Sequence, residues 1–514
     1  MAAIVGEPAV QPGPPELATV ARGGLANLVG AAVSVAANVA MIVVVARGTT
    51  TGRAGEFFAL TAVFLLAQTL CRLGADMGLI YFLSRWTALG RKELVRTGLR
   101  VAFRPAIAAA VLIGGLLAAL APQVARLILR DHSSANSVAL VRVLALAIPV
   151  AVGFDLVLAA TRGFGRMRPT VLVDKVGRPL LQLALISVAL VAGWQWALGV
   201  AWAAPYAAAA VVATIMLERI GIPPRPRARR RAEQRVLVRR EFWRFTTPRA
   251  IAGVAQILLQ RLDIVLVASL AGVRDAAIYT AATRFVVVGQ FVNQAISAPV
   301  QPRLSSLLAS GNHAAAKTLY RVSTTWLVLL TWPIFGMCIA LAPTYLAIFG
   351  PTYRRGTTTV VVLAIAMLLS CACGPVDSVL IMAGKTGWNL GTTLLALALN
   401  IGLDIILIPR LGILGAAIGW FAAIGATNVV PLALAWLRLG LHPFGRSLLG
   451  AMSAGALCFL ATPLVAGVVG GTQFAPAAGA FMGAVLFGWI SWRNRALFEL
   501  TNLIRRPAYP AVSQ

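Results

Sequence analysis

The sequence predicts an all-α integral membrane protein of about fourteen transmembrane helices, built as two parallel six-helix lobes around a central cavity with two further helices at the C-terminus. Three observations predict it. Of 514 residues, 59% are hydrophobic and 12% charged, with a mean hydropathy of +0.84, whereas a soluble domain is about half apolar and a quarter charged. Apolar runs of roughly 20 residues, enough to cross the hydrocarbon, recur along the whole chain. The chain also resembles itself weakly at an offset of roughly 215 to 222 residues. The first observation excludes a soluble enzyme.

Residues 1–20, rich in Pro and without a charged start before an apolar core, read as a disordered cytoplasmic tail and not as a cleaved signal peptide. Cutting at charges and at Pro or Gly clusters gives spans at roughly 24–46, 55–84, 99–120, 138–161, 170–192 and 196–218 in a first lobe, 21–220. Spans at roughly 244–270, 276–304, 318–342, 357–383, 388–409 and 413–437 form a second lobe, 241–440. Two more, at roughly 447–470 and 473–492, occupy 441–496 and leave a cytoplasmic tail, 497–514.

Charge tests this topology. Lys and Arg total 45 against 16 Asp and Glu, a formal charge of +29. With the N-terminus inside, about 33 cations fall in interior loops or interior ends, about nine outside and about three within spans, as the positive-inside tendency requires. Both termini are therefore expected in the cytoplasm, with the protein in a bacterial plasma membrane. The densest basic run, Arg225, Arg227, Arg229, Arg230, Arg231, Arg235, Arg239 and Arg240, lies in the loop 221–240 joining the lobes and reads as a topology anchor on anionic headgroups. Nucleic acid is not an expected partner, because a basic soluble domain with base-reading residues is missing.

Several chemistries lack their residues. Cys71, Cys338, Cys371, Cys373 and Cys458 lie in apolar stretches, far in sequence from His132, His313 and His442, so no metal is expected. Ala383, Gly384, Lys385 and Thr386 look like the end of a phosphate-binding loop, but Val379 stands where the leading Gly belongs and the context is a helix end. No exterior loop is long enough for a catalytic domain, so no catalytic residue is assigned and the chain is not expected to be an enzyme.

The internal repeat places Gly55–Arg85 over Ala276–Ser306, Asp155–Leu158 over Asp377–Leu380, Gly165 and Arg166 over Gly384 and Lys385, and Leu198–Ala204 over Leu411–Ala417. Each repeat has six spans, an even number, so both start on the same side of the membrane and are related by an axis along its normal. A substrate path then lies between them.

Polar groups inside spans mark that path, since a charge at the bilayer centre costs a few kcal/mol even on lenient scales. Arg72 lies near mid-depth with Asp76 four residues on. Gln256, Gln260 and Asp263, with Arg261 beside them, form one stripe at helical spacing, and Gln290, Asn293 and Gln294 form another beyond Arg284. These ten residues are the expected cavity lining, suited to sugar hydroxyls, amides and, through Arg, a diphosphate. Asp155, Asp377, Asn400 and Asp404 are candidates for ion coupling or helix pairing. A structural alternative has Arg72 with Asp76, and Asp263 with Arg284, neutralising each other to hold helices together.

In these segments the chain resembles the polysaccharide transporters of the multidrug/oligosaccharidyl-lipid/polysaccharide (MOP) exporter superfamily. The carriers of the resemblance are GEFFALTAVF through LGADMGLIYFLSR, QRLDIVLVASLAGVRDAAIYTAATRF followed by SAPVQPRLSSLLASGN, and ALNIGLDIILIPRLGILGAAIGW, in order and at matching topology over about residues 20–440. The resemblance implies a MATE-like fold and a flippase that moves a polyprenyl-diphosphate-linked oligosaccharide to the exterior leaflet by alternating access. It implies no cofactor beyond a coupling cation or the membrane potential. The implied partners are the lipid-linked glycan, membrane lipids and glycan-assembly enzymes. Related lipid II flippases carry a cationic first helix, whereas this sequence has no charge between Arg22 and Arg47, which favours another glycan. A lipid II flippase, a cation-coupled multidrug exporter, a membrane-embedded glycosyltransferase and a non-transporting partner of a glycan-assembly complex stand as alternatives.

Overall fold

The computed structural model describes residues 14–130, 134–221, 231–463, 465–466 and 475–498. These residues contain helices and no strand. In the first lobe run α1 (Pro14–Gly48), α2 (Thr51–Arg72), α3 (Ala75–Ala88), α4 (Lys92–Ala119), α5 (Ala121–Leu129) and α6 (Ala135–Gly163). A π-helical turn (Thr170–Gly177), α7 (Arg178–Val191) and α8 (Leu198–Arg219) complete it. The second lobe holds α9 (Arg231–Leu270), α10 (Val273–Ala282), α11 (Arg284–Ala309), α12 (His313–Ala340), α13 (Ala342–Ala347), α14 (Thr357–Cys373), α15 (Val376–Met382), α16 (Thr386–Leu411) and α17 (Ile413–Leu439). Beyond it lie α18 (Arg446–Ala456), a second π-helical turn (Leu457–Ala461) and α19 (Ala475–Arg493).

The described residues of the expected spans are largely helical, and among the described residues ten helical stretches are long and apolar enough to cross a membrane. The differences lie in breaks. The span expected at 55–84 is divided where Leu73 (φ 53) and Gly74 (φ 70) both take left-handed backbone, a conformation that Leu tolerates poorly and that ends the α-helical ladder. The span at 276–304 divides at Thr283, between α10 and α11. The span at 357–383 divides at Gly374 and Pro375, which cannot continue a helix. The nine-residue α5 follows α4 directly, so the expected loop there begins with a helix.

Two boundaries move. Helix α1 begins at Pro14, inside the segment expected to be a disordered tail, and α9 begins at Arg231, inside the expected loop. Arg225, Arg227, Arg229 and Arg230, the tail residues 1–13 and 499–514, and part of the thirteenth span lie outside the described residues.

Side chains sort by solvent. The buried core of the first lobe is built from Phe57, Phe64, Phe154 and Trp202, whereas Leu112, Leu127, Val191 and Leu437 stand on the outside, as they would against lipid. The lobes meet where α2 and α3 pack against α9 and α10. At one end of this seam the α2 backbone at Gly55 presses on the backbone of Val273, with no room for a Cβ. At the other end Gly78 sits against Phe242 and Thr246.

Candidate functional site

The break at Leu73 and Gly74 organises the middle of the seam. It leaves Arg72 in the last turn of α2 and Asp76 in the first turn of α3, each at the helix end whose dipole favours its sign. Arg72 and Asp76 therefore do not share one continuous helical face. Their side chains still meet, Nη1 to Oδ2 at 3.5 Å, and the same Nη1 lies 3.6 Å from Asp155 Oδ2 on α6. Gln68 donates to that Asp155 oxygen at 2.7 Å, and Arg72 donates to Thr69 Oγ1 at 3.0 Å.

Behind this cluster stands a second one that the sequence reading did not single out. Arg178 donates to Asp174 at 3.0 Å, to Gln182 at 3.0 Å and to the Tyr206 hydroxyl at 3.4 Å, and its guanidinium lies over the Tyr206 ring. Lys175 donates to Asn27 on α1 at 2.7 Å. Asp174 and Lys175 belong to the π-helical turn, a wound-out geometry frequent at functional positions. The signal was visible in the sequence: three charges, Asp174, Lys175 and Arg178, interrupt an otherwise apolar run.

Across the seam, Gln256 and Gln260 of α9 face Arg72 and Asp76 over a cleft of about 310 Å³. Arg249, whose guanidinium stacks on Phe245 at 3.7 Å, lines the same cleft. Next to it, Gln260, Arg261, Asp263, Arg284 and Gln290 surround a smaller space of about 70 Å³.

Asp263 departs from the expected stripe. It is 3% exposed and turned inward, accepting from the Tyr279 hydroxyl at 2.6 Å and from the Ile264 amide at 2.8 Å. Arg284 does not bond to it. Arg284 donates to Thr280 O at 2.9 Å and to Thr283 Oγ1 at 3.1 Å, across the break between α10 and α11. The expected Asp263–Arg284 neutralisation is thus replaced by a Tyr279–Asp263 hydrogen bond, because the break turns the guanidinium back onto its own helix end.

Asn400 and Asp404, one turn apart on α16, are fully buried. They face Gly419 of α17, where a Cβ would run into Asp404 Oδ1 and lie 3.4 Å from Asn400 Nδ2. None of their four side-chain polar atoms has a hydrogen-bond partner among the described residues. Asp404 also lies within electrostatic reach of Asp263.

Three expected residues stand apart from these spaces. Asn293 accepts from Ser297 Oγ on its own helix at 3.1 Å, Gln294 is exposed, and Asp377 is exposed in the first turn of α15. Among the described residues no group of three or more His, Cys, Asp or Glu is placed to hold a metal ion.

Both ends of the seam are held shut. At one end, Arg47 of the first lobe donates to Ile348 O at 2.6 Å and Ala347 O at 3.2 Å in the second. At the other, Arg85 pairs with Glu241 at 3.3 Å, and Tyr81 stacks on Phe245 with ring centroids 4.2 Å apart.

Comparison with known proteins fits this architecture. A family model described as "Polysaccharide biosynthesis protein" matches residues 56–355. No curated protein matches the chain. Among solved structures, the lipid II flippase MurJ in an inward closed conformation superposes with a TM-score of 0.73 at 11% identity, over 94% of this chain and 100% of that one. An inward-facing multidrug resistance MATE family transporter of the MOP superfamily superposes at 0.65 with 15% identity, over 79% of this chain and 95% of that one. A MOP superfamily transporter from Pyrococcus furiosus, described by the reverse polarity of its binding pocket, gives 0.55 at 14% identity over 82% and 95%. The chain belongs to the polysaccharide biosynthesis protein family and carries the MATE-like fold of the MOP superfamily.

Proposed function

We propose that the protein is a flippase that carries a polyprenyl-diphosphate-linked oligosaccharide from the cytoplasmic to the exterior leaflet, its two lobes rocking about the seam. The observation that carries this reading is the central cleft. One wall offers the Arg72 guanidinium beside Asp76, and the other offers the amides of Gln256 and Gln260 with Arg249. A guanidinium suits the planar, paired acceptors of a diphosphate, and amides suit sugar hydroxyls. The polyprenyl tail needs no cavity, because it remains in lipid.

The Arg85 end, from which the Arg-rich segment leaves, is taken as cytoplasmic because interior loops collect cations. Moving a diphosphate away from that side is assisted by about 2.3 kcal/mol per negative charge at 100 mV, inside negative. Asn400 and Asp404, buried without hydrogen-bond partners among the described residues, supply donor atoms for a coupling cation, with Asp263 adjacent. Arg72, Asp76, Gln256, Gln260, Arg261, Arg284 and Gln290 are the residues proposed to meet the substrate. Asp155 acts through Arg72.

A second reading, lipid II as the substrate, is favoured by the superposition over the whole of the MurJ chain. The uncharged α1 between Arg22 and Arg47 weighs against it.

The test is depletion of the protein followed by mass spectrometry of polyprenyl-diphosphate glycans with a leaflet-accessibility probe. Accumulation of one complete oligosaccharide on the cytoplasmic side is the expected result and names the glycan. An unchanged pool with polymer export intact would sink the reading.

A further inference from the structure

A second cleft among the described residues is wider than the central one. It lies at the Arg47 end of the seam, has a volume of about 810 Å³ and takes walls from both lobes. Arg47 and Arg53 come from the first lobe and Arg274 from the second. Glu56 is the one acid lining it among the described residues, and it already accepts from Ser137 Oγ at 3.0 Å. Arg47 is committed to two carbonyls and Arg53 to Gln195 Oε1 at 2.8 Å. Arg274 is exposed, and none of the described residues bonds to it.

Two further features call for an acceptor. Helices α2 and α10 both begin at this cleft, and Gly272, which precedes α10, gives it no side-chain cap. Arg274 stands in the first turn of α10, where the helix dipole disfavours a cation and favours an anion. Tyr353 lines the cleft, is 2% exposed, and its buried hydroxyl has no partner among the described residues. A buried hydroxyl ordinarily finds a partner.

We propose that this cleft is a second binding site, for an oxyanion borne on a sugar-bearing headgroup: the diphosphate or sugar carboxylate of the transported molecule as it leaves the central cleft. For the identity of that molecule the proposal rests on the flippase reading. The position between lobes, rather than on the lipid-facing perimeter, selects the transported headgroup over a bulk phospholipid. Arg274 and the Tyr353 hydroxyl donate to the anion.

Binding also loosens the seam. The carbonyls of Ala347 and Ile348 belong to the C-terminal end of α13, and Arg47 satisfies them from the opposite lobe. A charged oxyanion is a better acceptor than a neutral carbonyl by a factor of about two. It therefore draws Arg47 away from α13 and frees this end to open.

The experiment titrates inorganic pyrophosphate into the full chain in phosphatidylcholine nanodiscs, followed by calorimetry. The expected result is binding that Arg274→Ala weakens about tenfold and Tyr353→Phe about threefold or more, since neither substitution touches the Arg47 link. No binding by the wild type, or wild-type affinity in both variants, overturns the site. Loss in Arg72→Gln with none in Arg274→Ala moves the anion to the central cleft and also overturns it. Discs containing phosphatidylglycerol, with salt raised to screen their surface, separate the sources. Unchanged pyrophosphate affinity supports the transported headgroup, and competition by the lipid overturns that assignment. Leaflet depletion tests the flippase reading independently: a cleft that binds pyrophosphate while the lipid-linked pool stays unchanged keeps the site and removes its glycan ligand.

Discussion

Arg72 of α2 stands 3.5 Å from Asp76 and 3.6 Å from Asp155, so one guanidinium serves two carboxylates on different helices. The side chains of Arg72 and Asp155 are 27% and 19% exposed, a setting between a surface pair and a dry one. Removing one partner of a fully buried pair costs about 3 to 5 kcal/mol, and a surface pair about 0 to 1. Arg72→Ala is therefore expected to destabilise by about 2 kcal/mol, more than Asp76→Asn, because it strands two acids and not one cation. Thermal melts of the purified variants check this. Arg72→Ala combined with Asp155→Ala should recover part of the loss, and additivity of the two would deny the coupling.

The cation reading of α16 gives a measurement independent of transport. A ligand that binds only the folded protein stabilises it by about 2.7 kcal/mol at a hundredfold excess over its dissociation constant. The wild-type melting temperature should rise when sodium chloride replaces choline chloride. Asp404→Asn, which removes the charge, and Gly419→Ala, which drives a methyl group into the Asp404 carboxylate, should both abolish the rise. A wild-type melt indifferent to the cation would remove the coupling site.

At Gly55 the lobes touch backbone to backbone. A Cβ there meets the Val273 carbonyl, which belongs to the first turn of α10 and cannot swing aside as a side chain would. Gly55→Ala should cost about 1 to 3 kcal/mol in the closed arrangement and none once the seam parts. It should therefore raise the rate at which a membrane-impermeant thiol reagent labels Val273→Cys, a position only 1% exposed while the seam is closed. Labelling no faster than in the Gly55 protein would show that this contact does not hold the seam.

How much of this was legible in the sequence differs by residue. The spans followed from composition, and Arg72, Asp76, Gln256 and Gln260 announced themselves as polar groups in apolar surroundings; the structure brings all four to one cleft. Asp155 was visible as an acid within a span, but its meeting with Arg72 is a tertiary fact that spacing does not encode. Asp263 was read on the face of Gln260. Three residues of α-helix turn a side chain about 60° short of a full circle, enough to carry it from the cleft to Tyr279. Tyr279 stands in the segment QRLDIVLVASLAGVRDAAIYTAATRF, which carries the family resemblance as an Asp on one helix and a Tyr on the next, but its hydrogen bond to Asp263 is a tertiary fact that spacing does not encode. The break at Leu73 was hidden because left-handed backbone is expected of Gly, and only Gly74 announced a turn.

The last prediction concerns the Arg85 end. Arg85 and Glu241 join the lobes at 3.3 Å with side chains 50% and 57% exposed, so solvent screens the pair and its contribution to stability is about 0 to 1 kcal/mol. If the lobes rock as proposed, its influence on gating is larger than that figure, because two conformations of a protein commonly differ by only a few kcal/mol. Glu241→Gln should leave the melting temperature within error, yet shift the population toward opening at this end. Spin labels on α3 and α9 would report that shift as a longer inter-lobe distance. Raising the salt concentration should move the wild type the same way and leave Glu241→Gln unmoved. The swapped pair Arg85→Glu with Glu241→Arg should restore the wild-type distance. If the swap behaves like the single variant, the stacked Tyr81 and Phe245 rings hold this end and the ion pair does not.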